Sequence, residues 1–149
     1  MDLSSTQFEI ENAESKKVAI LLPHFNDSLG LTLLKNCKQE LLEQGVKEEN
    51  IEILRCPGAL ELPYLAQSTI KTSQPDVLIA LGIIVEGETD HYAHVAQTTH
   101  QGLMKVQLKK KTPIIIGVLT CKDEKQAIER VESEGLNKGK EFAKAALFV

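Results

Sequence analysis

In Gly82-Ile83-Ile84-Val85-Glu86-Gly87-Glu88-Thr89-Asp90-His91-Tyr92 an imidazole opens a helical pattern, just after a glycine-punctuated connection. His91 is the side chain there whose ordinary pKa lies near neutrality, so it can take and return a proton at physiological pH. By position alone, catalysis and a solvent-exposed first-turn residue account for it equally well. Thr89 and Asp90 supply N-cap chemistry, and a helix start at the end of a buried strand attracts small anions. Gly82 and Gly87 are expected to bracket a tight connection. The segment nearly spells a P-loop, yet Glu88 stands where that motif needs lysine, and Ile83, Ile84 and Val85 crowd the cradle. Nucleoside triphosphate hydrolysis is disfavoured. A single phosphate held by main-chain N–H groups near Glu88 and Thr89 fits better. His91, His94 and Asp90 offer fewer ligands than a zinc centre assembles, so no metal is expected.

Three further residues could contribute. Arg130 alone reads as a surface cation, and beside an anion pocket as a two-point phosphate binder. Cys121 could be a nucleophile, but no neighbour in sequence would lower its pKa, so inert packing is the better reading. Phe25 either plugs the core or presents a ring for stacking on a planar ligand, and position alone favours the plug.

The elements that must carry these residues alternate. Val18–Leu22 reads as a buried strand ending at Pro23. Asn26 or Asp27 can cap a helix with Leu29, Leu33, Leu34, Cys37 and Leu41 at helical spacing, stopped by Gly45. Ile51–Leu54 is a second strand, Pro57-Gly58 turns the chain, and a helix carries Leu62, Leu65, Ala66 and Ile70. Val77–Leu81 is a third strand, and a long helix runs from about His91 to Leu108. Ile114–Leu119 is the fourth strand, followed by helical patterns at Glu124–Val131 and Asn137–Leu147. Strands alternating with helices imply a parallel sheet covered on both faces through right-handed crossovers. The expected fold is α/β and flavodoxin-like, a three-layer α/β/α domain with a central four-stranded parallel sheet. Residues 1–15 form a polar N-terminal arm and residues 16–149 the single domain.

Bulk properties narrow the function. The 149 residues suit one domain, and 42% hydrophobic with 26% charged residues argues against disorder. A net charge of −4 without a basic stripe argues against nucleic acid, the Lys109-Lys110-Lys111 cluster being placed to suit a helix C-terminus. Cys37, Cys56 and Cys121 form no paired motif and read as reduced thiols of a cytoplasmic protein. Neither a signal peptide nor a membrane span is expected.

Taken together, several segments resemble lumazine synthase: Phe25-Asn26-Asp27, Pro57-Gly58-Ala59-Leu60-Glu61-Leu62-Pro63, Gly87-Glu88-Thr89-Asp90-His91-Tyr92, Gly117-Val118-Leu119-Thr120, Gln126-Ala127-Ile128-Glu129-Arg130 and Asn137-Lys138-Gly139. They occur in order from about Val18 to the C-terminus. The resemblance implies the penultimate step of riboflavin biosynthesis, a cofactor-free condensation of 5-amino-6-(D-ribitylamino)uracil with 3,4-dihydroxy-2-butanone 4-phosphate. In such enzymes His91 would move protons and Phe25 would stack on the pyrimidine. Ala59, Leu60 and Glu61, with Ile83, Ile84 and Val85, would line the pyrimidine and ribityl site, with Lys138 also on the substrate. Glu88 and Thr89 would hold the phosphate, chiefly through backbone amides. Arg130, from a neighbouring subunit, would pair with that phosphate, and Ile116 of that subunit would touch the pyrimidine.

The resemblance further implies a homo-oligomer with shared active sites, built on a pentamer that in many members closes into an icosahedral shell. Riboflavin synthase is a candidate partner. The short Val131–Leu136 connection and an arm without proline lean toward the shell, with Phe8 and Ile10 able to add the arm as an edge strand to a neighbour's sheet. Four positions depart from the commoner pattern. Leu60 and Ile116 stand where phenylalanine is frequent, Glu86 where arginine is, and Glu134 where lysine is. A non-catalytic flavin- or pyrimidine-binding module and an archaeal-type riboflavin synthase are the alternatives. His91 and Arg130 argue against the first, and the phosphate-site residues against the second.

Overall fold

The computed structural model describes Gln7 and residues 9–149. Four parallel strands form one sheet, and helices cover both of its faces. Val18–Pro23 (β1) is buried along its whole length, as a run of aliphatic residues with no polar alternation requires. Asp27–Glu43 (α1) leads to Ile51–Cys56 (β2), and Leu62–Ser73 (α2), with proline in its first turn, leads to Val77–Val85 (β3). His91–Lys110 (α3) precedes Ile114–Cys121 (β4), and Glu124–Val131 (α4) and Lys138–Phe148 (α5) complete the chain.

The strand order is β2-β1-β3-β4, so successive crossovers first run outward from β1 to β2, then cross to its other side. α1, α4 and α5 pack on one face around Ile20, Leu22, Ile79 and Leu81. α2 and α3 pack on the other around Ala19, Leu21, Leu78 and Ala80. Alternate residues of the same strands thus feed two separate cores, which is why the strands are apolar throughout.

β3 corrects the expected outline. It extends four residues beyond Leu81, and Gly82 lies inside it, paired with Val118, rather than at a turn. β4 continues beside it to Val85↔Cys121, so a partner ladder and the β-branched run Ile83, Ile84 and Val85 outweigh the one glycine. The tight connection shrinks to residues 86–90. The arm strand is not seen among the described arm residues: Gln7 and Glu9–Asn12 carry no strand, while Phe8 and residues 1–6 lie outside the description. Ala13 is already buried against the first core, with Ile10 packed beside it.

Candidate active site

β1 and β3 are neighbours whose crossovers depart in opposite directions, and ligands of open α/β sheets bind outside the carboxyl ends at such a point. The paired register of β1 with β3 ends at Leu21↔Ala80, yet β3 runs on to Val85, so the two part and leave a gap at this end. A cleft of about 340 Å³ occupies it.

The first wall follows β1. Pro23 and Phe25 line the cleft, and Phe25 is 73% exposed. The ring is therefore not the core plug that position alone favoured. It sits on a short loop between a buried strand and a helix start, where the chain has left both cores. The loop is held by its backbone, His24 N–H donating to Cys56 O (2.8 Å) and Phe25 N–H to Pro57 O (3.2 Å). Asn26 occupies the α1 N-cap position in left-handed geometry, φ 58°, and makes no side-chain cap. Its amide Nδ2 instead donates to Ile83 O at 2.8 Å, across the gap between β1 and β3.

The second wall is the 3-10 turn Ala59–Glu61, with Gly58 and Leu60 also facing the cleft. Glu61 folds back to accept the Gly58 N–H through Oε2 at 2.9 Å, which fixes the turn. Its other oxygen makes no hydrogen bond among the described residues and can accept from a ligand hydroxyl. Ile83, Ile84 and Val85 form the third wall, as strand residues.

The connection to α3 supplies the fourth. Thr89 and His91 line the cleft, and both are exposed. Thr89 Oγ1 accepts the His91 N–H at 3.3 Å, which is the expected capping role. Asp90 does not cap: its carboxylate turns to His94 Nε2 at 3.3 Å, one helical turn on, leaving both side chains at the surface. The N–H groups of Gly87, Glu88 and Thr89 have no acceptor among the described residues. Donors left open at the positive end of a 20-residue helix make an anion seat. Glu88 is exposed and does not line the cleft, so only its main chain is placed to contribute.

Arg130, Ile116 and Lys138 do not line the cleft of their own chain. Arg130 lies on α4, its Nη1 donating to Gln126 O at 3.2 Å. Ile116 is half-buried on β4. Lys138 begins α5 and pairs with Glu141, Nζ to Oε2 3.1 Å, with both side chains largely buried. Among the described residues the cleft lining contains no lysine or arginine. Gly58, Gly87, Tyr92 and Val95 also line it and were not singled out from sequence as site residues. Their signal was visible for two: Val95 follows His91 by four positions and Tyr92 by three, the spacings of one helical turn.

The remaining chemistry is quiet. Cys121 is buried at the end of β4, and burial raises its thiol pKa despite the nearby Arg130 guanidinium, in keeping with inert packing. Burial likewise pushes Cys56 up to about 11 and Cys37 well above the usual thiol range. Among the described residues no three His, Cys, Asp or Glu side chains gather as a metal ion would need, and no helix is long and apolar enough to cross a membrane.

Comparison with known proteins gives a consistent answer. The family model for 6,7-dimethyl-8-ribityllumazine synthase matches residues 15–149. The 6,7-dimethyl-8-ribityllumazine synthase of Levilactobacillus brevis is 41% identical over 133 residues, 89% of this chain and 85% of its own.

Proposed function

The chain belongs to the 6,7-dimethyl-8-ribityllumazine synthase family, and on that premise we propose that the cleft between β1, β3 and α3 is its active site. The enzyme is a transferase of riboflavin biosynthesis. It condenses 5-amino-6-(D-ribitylamino)uracil with 3,4-dihydroxy-2-butanone 4-phosphate to 6,7-dimethyl-8-ribityllumazine, releasing phosphate and water. The observation that carries the assignment is the cleft itself, with a stacking ring, a free carboxylate oxygen, a histidine and open N–H donors on its separate walls.

In this reading Phe25 stacks on the pyrimidine, whose flat π-face suits an exposed ring. Ala59, Leu60, Ile83, Ile84 and Val85 exclude water from it, and Glu61 accepts from ribityl hydroxyls. The ketone phosphate lies with its phosphate on the N–H groups of Glu88 and Thr89, which brings its reacting carbons toward His91. The free amine of the uracil attacks the ketone carbonyl, and loss of water leaves an imine. Removal of a proton from the adjacent carbon then expels phosphate from the next one. The resulting enol tautomerises to a ketone, and the ribityl-bearing nitrogen closes the ring onto that carbonyl with loss of a second water. His91 moves protons in imine formation and in the elimination, and holding both reactants in one cleft supplies much of the remaining acceleration.

The cleft must neutralise a phosphate that its own chain meets with no cationic side chain. We assign that charge to Arg130 of a second copy, with Ile116 against the pyrimidine and Lys138 toward the substrate. The working enzyme is accordingly a homo-oligomer, a pentamer or a shell of pentamers, with residues 1–15 as an arm on the 16–149 domain. A cytoplasmic location and riboflavin synthase as macromolecular partner complete the proposal. Mixing the protein with both substrates and following lumazine absorbance together with inorganic phosphate tests it. Equimolar appearance of the two is expected, and binding without phosphate release would overturn the catalytic assignment of the cleft.

A further inference from the structure

Phe25 is a 73% exposed wall of the cleft, on a loop tied by the Phe25 N–H to Pro57 O and by the Asn26 amide to Ile83 O. Beyond Leu21 the β1 register is paired only with β2, so the loop 24–26 overhangs the gap that the substrate must enter. Arg55 lies behind that loop, opposite Leu22 in the ladder and outside the cleft lining. Its Nε donates to Leu22 O at 3.0 Å and its Nη2 to Pro23 O at 3.3 Å. The same Nη2 pairs with the Asp27 carboxylate, the first residue of α1. One rigid guanidinium therefore grips the chain on both sides of Phe25, at the last two residues of β1 and the first of α1. The Arg55 side chain is only 26% exposed, so these charge-assisted bonds are partly shielded from water.

We infer that Arg55, through its grip on Leu22, Pro23 and Asp27, is a positioning residue that sets the Phe25 ring for the pyrimidine. The planar fork is what the geometry requires, because three acceptors from two elements converge on a single side chain. A flexible ring must be ordered when the substrate binds, and pre-ordering it lowers that cost. Arg55 touches no reacting atom in this arrangement, so its influence falls on affinity for one substrate and not on the chemical step. The inference rests on the assignment of Phe25 as the stacking residue.

Steady-state kinetics of Phe25→Ala, Arg55→Gln and the double variant test it, with each substrate varied separately. Arg55→Gln is expected to raise KM for the pyrimidine roughly two- to tenfold, with kcat and the KM for the ketone phosphate little changed. In the double variant the pyrimidine KM should equal that of Phe25→Ala alone, because the ring through which Arg55 acts is already gone. Arg55→Lys, able to reach only part of the acceptor set, should recover part of the loss. Asp27→Asn weakens the same grip with little change in shape and keeps the test open if Arg55→Gln does not fold. An additive double variant, or an equal rise in both KM values, would mean a general structural role and overturn the inference. If Phe25→Ala itself leaves pyrimidine KM unchanged, the stacking assignment fails first and this inference with it. If only Phe25→Ala has an effect, stacking stands and the positioning role of Arg55 falls.

Discussion

His91 is set at the cleft by Thr89, which accepts its N–H at the start of α3, where the proposed mechanism uses an acid–base group. A positioned proton-transfer group is worth about 10²- to 10⁴-fold, but two reactants held together would react measurably without it. His91→Ala should therefore lower kcat by about ten- to a thousandfold with smaller changes in KM; unchanged kcat across neutral pH would remove the imidazole from the mechanism. Arg130 acts at the phosphate in the proposed assembly. Leaving a buried charge without its partner costs on the order of 2–5 kcal/mol, so Arg130→Ala should damage use of the ketone phosphate far more than pyrimidine binding. Equal damage to both would point to a structural role. Arg130→Lys should rescue only in part, since an ammonium cannot form the planar two-point contact. Leu60, and in the proposed assembly Ile116 of a second copy, keep an apolar wall without aromatic contact. Glu86 and Glu134 add negative charge, both at exposed positions where solvent screens them.

At the scale of elements, two glycines of the segments shared with the family, Gly117 and Gly139, are explained by close packing. A Cβ on Gly139 would stand 2.6 Å from the Leu33 carbonyl, so the first turn of α5 can lie against α1 only as glycine. A Cβ on Gly117 would meet the Phe142 ring at 2.7 Å, which ties β4 to the same helix. α3 shows the opposite situation. Thr99 is fully buried, and its hydroxyl is without a partner among the described residues. Burying an unsatisfied hydroxyl costs roughly 1–3 kcal/mol, whereas valine has nearly the same shape. Thr99→Val is thus expected to stabilise the fold by about 1 kcal/mol, less the small helix penalty of a β-branched apolar residue, read as a higher midpoint in urea unfolding. A lower midpoint would mean that the hydroxyl is satisfied in the assembled protein.

For the whole molecule, the chain presents Tyr64, Leu108 and Phe148 largely to solvent, and among the described residues no strand pairs with the outer edge of β2. Exposed apolar residues and an unpaired edge are what association covers. With the phosphate-binding cation assigned to a second chain, a monomer should be nearly inactive. The short 131–136 connection and the absence of proline in the arm favour closure of pentamers into a shell, against like-charge repulsion from Glu132 and Glu134 where rings would meet. Sedimentation at neutral pH decides: about sixty chains is the expected species, five would eliminate the shell, and an active monomer would eliminate the shared site as well.

The alternation of strands and helices was legible in the residues because period and punctuation are local. Apolar runs bounded by proline and glycine mark strands, and Leu33, Cys37 and Leu41 mark a helix face that is indeed buried. His91 and Thr89 were legible for the same reason, since each lies at a helix start that its own neighbours define, whereas the walls at 59–61 and 83–85 were implied only by the family resemblance. The length of β3 was not, because Gly82 reads as a turn until β4 lies beside it and pairs through to Cys121. Nor was the exposure of Phe25: whether a ring after a strand plugs a core or faces a cleft depends on where β1 and β3 part, a relation between segments more than fifty residues apart. The grip of Arg55 on Leu22, Pro23 and Asp27 likewise exists only once the ladder sets β2 beside β1. Local sequence decides which element a residue begins or ends, while the partners it meets there are decided by strand order and register, which only the folded sheet supplies.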